Sequence, residues 1–171
     1  METALVIAVP EAEELVGHWR ETLDPSAADG MPAHVTLAYP FRDGARIGRG
    51  TEAALAGIFL SVSSFEVVFA GVERFPGVLW LAPENPKPFA VLETMLRDAF
   101  PDLRPAHDFV PHLTLAHLPE DDREQLGRIE RGFLLEAGDR LPLRARIGEI
   151  VLMERGETGS WAERRRFHLS R

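Results

Sequence analysis

The pentapeptide His-x-Thr-Leu-Ala is written twice in this chain, as HVTLA at residues 34–38 and as HLTLA at residues 112–116. Each copy has a proline shortly before it, within PAHVTLAYPF (32–41) and VPHLTLAHLP (110–119). Alternation of polar and apolar residues at period two, bracketed by prolines, predicts a β-strand for each copy. Successive side chains of a strand point to opposite faces. His34 and Thr36 therefore look one way while Val35 and Leu37 look the other, and His112 and Thr114 repeat this against Leu113 and Leu115. The fold must accommodate two strands, each with an apolar side for packing and a side that sets an imidazole next to a hydroxyl.

Around the two copies the chain repeats one order of elements. In the first half, the short β-branched run Ala4 to Val9 reads as a buried strand, EAEELVGHWRETL (11–23) as a helix, and TEAALAGIFL (51–60) as a second helix. FEVVFAGVERFPGVLWLAP (65–83) is two β-rich runs broken at Phe75-Pro76-Gly77, a hairpin signal. In the second half, residues 85–100 form a helix ended by Pro101, residues 120–137 another, residues 141–155 a strand, and residues 161–170 its hairpin partner. His34 lies 31 residues before Phe65 and His112 lies 31 before Leu143, where each hairpin is expected to begin. The expected class is α+β, a single bilobal domain over 1–171 made of two pseudo-symmetric units, about 10–83 and 86–170.

Composition sets the range of functions. With 45% apolar residues the chain can bury a sizeable core. The N-terminal apolar run is six residues long and gives way to acids, too short for a membrane span or secretory leader, so a soluble, cytoplasmic protein without membrane association is expected. Cysteine is absent, which removes disulfides, thiolate nucleophiles and Cys-based zinc sites. A net charge of −8 opposes broad capture of long nucleic acid, whereas a small anion needs only a local positive patch. Arg164-Arg165-Arg166 is a candidate for such a patch, weighed against a solvated edge.

Two imidazoles facing one cleft provide what phosphodiester cleavage needs without a metal. One takes a proton from water or a hydroxyl nucleophile, and the other gives a proton to the departing oxygen. The threonine hydroxyls can donate to non-bridging phosphate oxygens, where charge builds in the transition state. With six histidines and seven threonines in 171 residues, chance placement gives about 0.25 His-x-Thr triplets. Two copies, both continued by Leu-Ala and equivalently placed, exceed that. A repeat kept only for packing is the competing reading, because threonine suits strands and backbone groups can satisfy a buried histidine.

The paired motifs, with YPF after the first and a proline before the second, strongly resemble the two-histidine (2H) phosphoesterase superfamily, in particular its bacterial 2′-5′ RNA ligase-like branch. The resemblance spans essentially the whole chain. It implies two lobes whose antiparallel sheets form a central concave groove, helices outside, and cofactor-free, metal-independent chemistry on 2′,3′-cyclic phosphates or 2′-5′ linkages. It assigns His34 and His112 as catalytic and Thr36 and Thr114 as phosphate-binding. The chain departs from the family pattern at His117, where an arginine is common, and this puts a further phosphate clamp in doubt. In an ideal strand an offset of five from His112 would turn His117 away from the catalytic face.

The expected activity is hydrolysis of a small nucleotide or RNA terminus bearing a 2′,3′-cyclic phosphate, with no obligate protein partner. The alternatives are 2′-5′ ligation at the same site and a noncatalytic nucleotide-binding module. A metal centre from His34, His112, His117 and Asp108 is a further rival. Tyr39 and Phe109 are the preferred substrate-wall aromatics because they stand at strand ends, with Phe75 and Trp80 behind them. His18, His107 and His168 have no partner by spacing.

Overall fold

In the computed structural model, residues 1–103 and 108–171 are described. Strand β1 (Thr3–Ala8) leads into helix α1 (Pro10–Leu23), the one-turn α2 (Pro25–Ala28) and β2 (His34–Ala38). Helix α3 (Arg49–Leu60) precedes the hairpin of β3 (Phe65–Phe75) and β4 (Val78–Pro83). Then come α4 (Lys87–Ala99), β5 (Leu113–His117), α5 (Arg123–Ala137), β6 (Leu143–Ile147), β7 (Glu149–Arg155) and β8 (Trp161–His168). No helix among the described residues is long and apolar enough to cross a membrane.

The local chemistry explains these boundaries. α1 starts with Pro10 in its first turn, where a missing N–H costs nothing, carries Glu11 and Glu13 at its positive end, and has Arg20 in its last turn. The Asp24 carboxylate caps α2 by accepting from the Ser26 backbone N–H at 3.0 Å, and the Asp122 carboxylate caps α5 by accepting from Gln125 at 3.3 Å. The β3–β4 turn requires Gly77: its φ is +73°, and a Cβ there would come within 2.4 Å of the Leu118 carbonyl oxygen.

All eight strands form one antiparallel sheet, which curls into a half-barrel, in the order β6-β3-β4-β5-β2-β1-β7-β8. It consists of two four-stranded halves that meet at the motif strands β2 and β5, where a single register pair, Val35 with Leu113, joins them. The hairpin that follows the first motif in the chain lies beside the second motif, because β4 pairs with β5. The C-terminal hairpin β7–β8 conversely lies beside β1, next to the first motif. Helices cross the seam in the same reciprocal way, α1 packing on β5 and β6 and α4 packing on β2.

One expectation is corrected. Residues 141–155 are not a single strand: Gly148 divides them into β6, which pairs with β3 at one end of the sheet, and β7, which pairs with β1 near the other. Leu143 thus begins a strand, as the spacing of 31 residues suggests, but not a hairpin.

The helices bury one face of the sheet. Val35, Leu37, Leu113 and Leu115 are at most 4% exposed and share a core with Leu92 and Leu96 of α4 and Val16 of α1. Each such buried side chain contributes about 1.5–3 kcal/mol. His34, Thr36, His112 and Thr114 alternate with them and lie half-buried on the opposite, open face.

Candidate active site

The seam between the two halves sets the geometry of the motif residues. Continuing the Val35–Leu113 register by one residue in each direction places His34 opposite Thr114 and Thr36 opposite His112. On that register the four residues occupy the corners of a quadrilateral on one face of the sheet, each histidine position across from the other motif's threonine. The histidines occupy its diagonal, a separation of about 7–8 Å between antiparallel neighbours. A phosphate fits a gap of that size.

Both rings are anchored identically. The Nδ1–H of His34 donates to the Pro32 carbonyl oxygen at 2.7 Å, and the Nδ1–H of His112 donates to the Val110 carbonyl oxygen at 2.7 Å. A carbonyl can only accept, so Nδ1 carries hydrogen in both rings and Nε2 is the atom left to exchange a proton. The prolines before each motif belong to these anchoring loops.

The surroundings of the two rings differ. Burial pushes the His34 imidazole down to about 4, with the Arg20 guanidinium and His112 adding to the depression; the Pro32 carbonyl and the Asp24 carboxylate oppose it. Arg20 and Asp24 form an ion pair in which Nε and one Nη of the guanidinium donate to the same oxygen, Oδ2, at 3.1 and 2.9 Å, both side chains almost fully buried. Arg20 also donates to the Met31 carbonyl oxygen, tying down the segment that delivers Pro32 and His34. His112 instead sits against aromatic rings, edge-on to Phe75 at 5.2 Å and to Trp80 at 5.8 Å, while those two rings stack at 4.7 Å.

The depressed His34 makes a prediction about stability. Its reference value is 6.5 and its folded value about 4, so the native state favours the neutral ring. The contribution is fully present above pH 6.5 and is lost as pH falls through 4, about 3 kcal/mol in all. Urea unfolding of wild type and His34→Gln between pH 7 and 4 measures it, and the wild type is expected to lose stability more steeply by that amount.

A cavity of about 1110 Å³ opens at the site, lined by Thr36, His112, Tyr39, Phe75, Phe109 and His117 among others. His34 and Thr114 sit half-buried in the sheet and are not among its lining residues. Tyr39 is exposed and meets Trp161 edge-on at 5.9 Å; Phe109 is half-buried and also leans on the core. Phe75, a lesser candidate by sequence, stands closest to the motif chemistry because its ring touches His112. Only the pairing of β4 with β5 brings Phe75 and Trp80 there, and local patterning carries no signal of it.

His117 overturns the strand-parity argument. A β-bulge interrupts the β4–β5 ladder between Leu79 and Trp80, so Trp80 pairs with Thr114 while Leu79 pairs with Ala116 and Val78 with His117. The extra residue, Leu115, resets the alternation and returns His117 to the face of His112 and Thr114. The ring is exposed at the strand end and lines the cavity.

Other candidates fall away from the site. His18 is exposed on α1 beside Trp19, and His168 lies 3.6 Å from the Glu149 carboxylate, a partner its spacing did not reveal. His107 lies outside the described residues. The arginine run is no open patch: Arg164 pairs with Glu154, Arg165 with Glu52, and Arg166 with Glu149 and Glu163. Among the described residues no group of three or more His, Asp or Glu side chains is placed to hold a metal ion.

Residues 8–159 match the 2′-5′ RNA ligase superfamily. No curated protein matches the chain by sequence. Among solved structures, E. coli LigT complexed with 3′-AMP is similar at 21% identity and a TM-score of 0.65, with 99% of this chain and 98% of that one covered. TT0787 of Thermus thermophilus is similar at 17% identity and a TM-score of 0.64, covering 98% and 97%. A structure described as a phosphoesterase is similar at 19% identity and a TM-score of 0.61, with 99% of each chain covered. At these identities the likeness establishes a common fold.

Proposed function

The chain belongs to the 2′-5′ RNA ligase superfamily, and on that premise we propose that it is a metal-independent phosphodiesterase that opens 2′,3′-cyclic phosphates of nucleotides or RNA ends. The observation that carries the reading is the pair of imidazoles on adjacent strands, each held through Nδ1 to a carbonyl oxygen two residues earlier with Nε2 left free. Structures of E. coli LigT with 3′-AMP, NADP+, ATP and phosphate support a phosphate-bearing nucleotide as ligand.

In this reading the phosphate sits on the quadrilateral, its non-bridging oxygens accepting from the Thr36 and Thr114 hydroxyls. His34, which burial keeps neutral through the neutral range, is the base. Its Nε2 takes a proton from water as the water oxygen bonds to phosphorus. The bond from phosphorus to the ribose 3′ oxygen breaks, and that oxygen takes its proton from Nε2 of His112. The products are a 2′-phosphate and a free 3′ hydroxyl. No external electrons and no other co-reactant enter.

The test is incubation of purified protein with nucleoside 2′,3′-cyclic phosphates and phosphorus NMR of the product. The expected result is a 2′-phosphomonoester, formed at the same rate with and without chelator. No product from any of the four nucleosides overturns the reading. Thr36→Val and Thr114→Val keep shape and remove one hydroxyl each; each is expected to lower kcat by about 10²-fold with a small change in KM. Steady-state kinetics decide it, and a change confined to KM would remove the hydroxyls from transition-state stabilisation.

A further inference from the structure

We propose that Tyr39 is the surface on which the nucleobase of the substrate stacks, held ready for it by Trp161, Arg155 and Glu2. The proposal rests on the phosphodiesterase reading and adds to it the side of the phosphate on which the nucleoside lies. Strand parity alone would send Tyr39, three residues after Thr36, to the packed side of the sheet. A β-bulge prevents this. Val6 pairs with Thr36 but Leu5 pairs with Ala38, so Leu37 is the extra residue. Ala38 then packs on the main core with Leu5, and Tyr39 turns to the open face. Tyr39 thus stands to Thr36 as His117 stands to Thr114, three residues on and past a bulge. Its neighbours lie on that face too. The Tyr39 ring meets Trp161 edge-on at 5.9 Å, and Trp161 packs on Ala4, Val6, Met31, Val151 and Met153, a small cluster apart from the main core that contains the register partner of Thr36.

Four side chains close a circuit behind the ring. The Arg155 guanidinium lies over the Trp161 ring at 5.9 Å and pairs with Glu2 at 3.3 Å. The Glu2 carboxylate in turn stands beside the Tyr39 hydroxyl. Arg155 is itself fixed by Asp29 at 2.8 Å and by the Gly159 carbonyl oxygen at 2.8 Å, and the Trp161 backbone N–H donates to the Asp29 carbonyl at 2.7 Å. With all this support Tyr39 remains 51% exposed and lines the cavity. A ring already ordered in the free protein gives up little freedom when a ligand is laid on it.

Reach and chemistry give the occupant. With Leu37 absorbed by the bulge, Tyr39 lies about two strand spacings past Thr36, roughly 7 Å along β2. A phosphate held by the Thr36 hydroxyl therefore has an aromatic ring beside it at about the breadth of one ribose, where the base of the same nucleotide falls. Burial, and then the Glu2 carboxylate, hold the phenol above its ordinary value, with Arg155 opposing, so the ring stays neutral through the neutral range. A neutral ring whose hydroxyl faces a carboxylate brings no charge to a second phosphate, whereas every base has a π face to lay on it. Stacking tolerates all four bases and strengthens with ring area, so purines should bind ahead of pyrimidines.

Tyr39 is the only tyrosine of the chain, so NMR of protein carrying isotope-labelled tyrosine reports on this ring alone. Titration with adenosine 2′-monophosphate is expected to move its ring signals upfield, uridine 2′-monophosphate to move them less, and inorganic phosphate least. Calorimetry is expected to show that Tyr39→Leu weakens the adenosine ligand about tenfold or more and leaves inorganic phosphate binding unchanged. Tyr39→Phe and Glu2→Ala each separate the hydroxyl from the carboxylate. Each is expected to cost a smaller factor, and Glu2→Ala to cost nothing further in the Tyr39→Leu background. Ring signals that follow inorganic phosphate as closely as the adenosine ligand, full adenosine affinity in Tyr39→Leu, or an equal loss for inorganic phosphate overturns the proposal. Upfield shifts and the Tyr39→Leu loss without hydrolysis by wild type would remove the phosphodiesterase reading and keep this one; hydrolysis with KM unchanged in Tyr39→Leu would do the reverse.

Discussion

Replacing either His34 or His112 by alanine is expected to lower kcat/KM for a 2′,3′-cyclic nucleotide by about 10²- to 10⁴-fold, the usual worth of a positioned acid or base. Removing His34 takes away the group that accepts the water proton, and removing His112 takes away the group that gives a proton to the leaving oxygen. The two act in one step, so the double substitution should cost little more than the worse of the single ones. Both rings are half-buried on the open face, outside the main apolar core, so circular dichroism of the variants should match wild type. The acid limb offers a second check. Because burial holds His34 at about 4, kcat/KM of the wild type should stay on its plateau well below pH 6.5 and fall only as pH approaches 4. Unchanged hydrolysis in both alanine variants would leave the paired motif as a packing repeat, and an acid limb near 6.5 would take the base role away from His34.

The second large effect lies beneath the site. Arg20→Met or Asp24→Ala leaves one buried charge without its partner, and either is expected to lower the unfolding free energy by about 3–5 kcal/mol. For a chain of this size that corresponds to a fall in Tm of roughly 6–20 °C. Asp24 also caps α2 and accepts from the Ser26 hydroxyl at 2.8 Å, and Arg20 holds the Met31 carbonyl, so the segment carrying the Pro32 acceptor loosens with the pair. The surviving protein should turn over more slowly than wild type at a temperature where both are folded, because His34 loses the fixed carbonyl that orients its ring. Thermal denaturation and kinetics at about 20 °C, a temperature below the usual mesophile transition range, measure the two consequences separately. A Tm within a degree or two of wild type would show that the pair is dispensable.

What the sequence made legible is what periodicity and proline placement control. The motif strands, their apolar undersides, the helices that precede and follow each motif and the Phe75-Pro76-Gly77 turn all follow from local chemistry, and the structure has them. The two prolines that precede the motifs double as part of the loops whose carbonyls hold the imidazoles, and that could be anticipated only as punctuation. Pairing between distant segments was hidden. Nothing in LPLRARIGEIVLMER says that its first part forms one edge of the sheet and its second part lies next to the opposite edge, because both halves of the run read as strand and a glycine is a weak divider. The side on which His117 falls depends on a bulge in the ladder with β4, so parity counted along β5 alone gives the wrong face. The arginines of β8 looked free because their carboxylates come mostly from other elements, Glu52 on α3 and Glu149 and Glu154 on β7. The burial of Arg20 is equally a tertiary fact: a basic residue in the last turn of a helix is the ordinary complement to the helix dipole and carries no mark of being enclosed.

The single rung between β2 and β5 makes the line through the four motif residues the place where the sheet is least stitched together. Alignment of the two imidazoles is consequently maintained from behind, by α1 reaching across to β5 and α4 reaching across to β2, like two clasps closing a book along its spine. Trimming Leu96, which is 1% exposed on α4 and borders the cavity from below, should therefore widen the span across which the proton donor and acceptor must cooperate, and kcat is expected to fall.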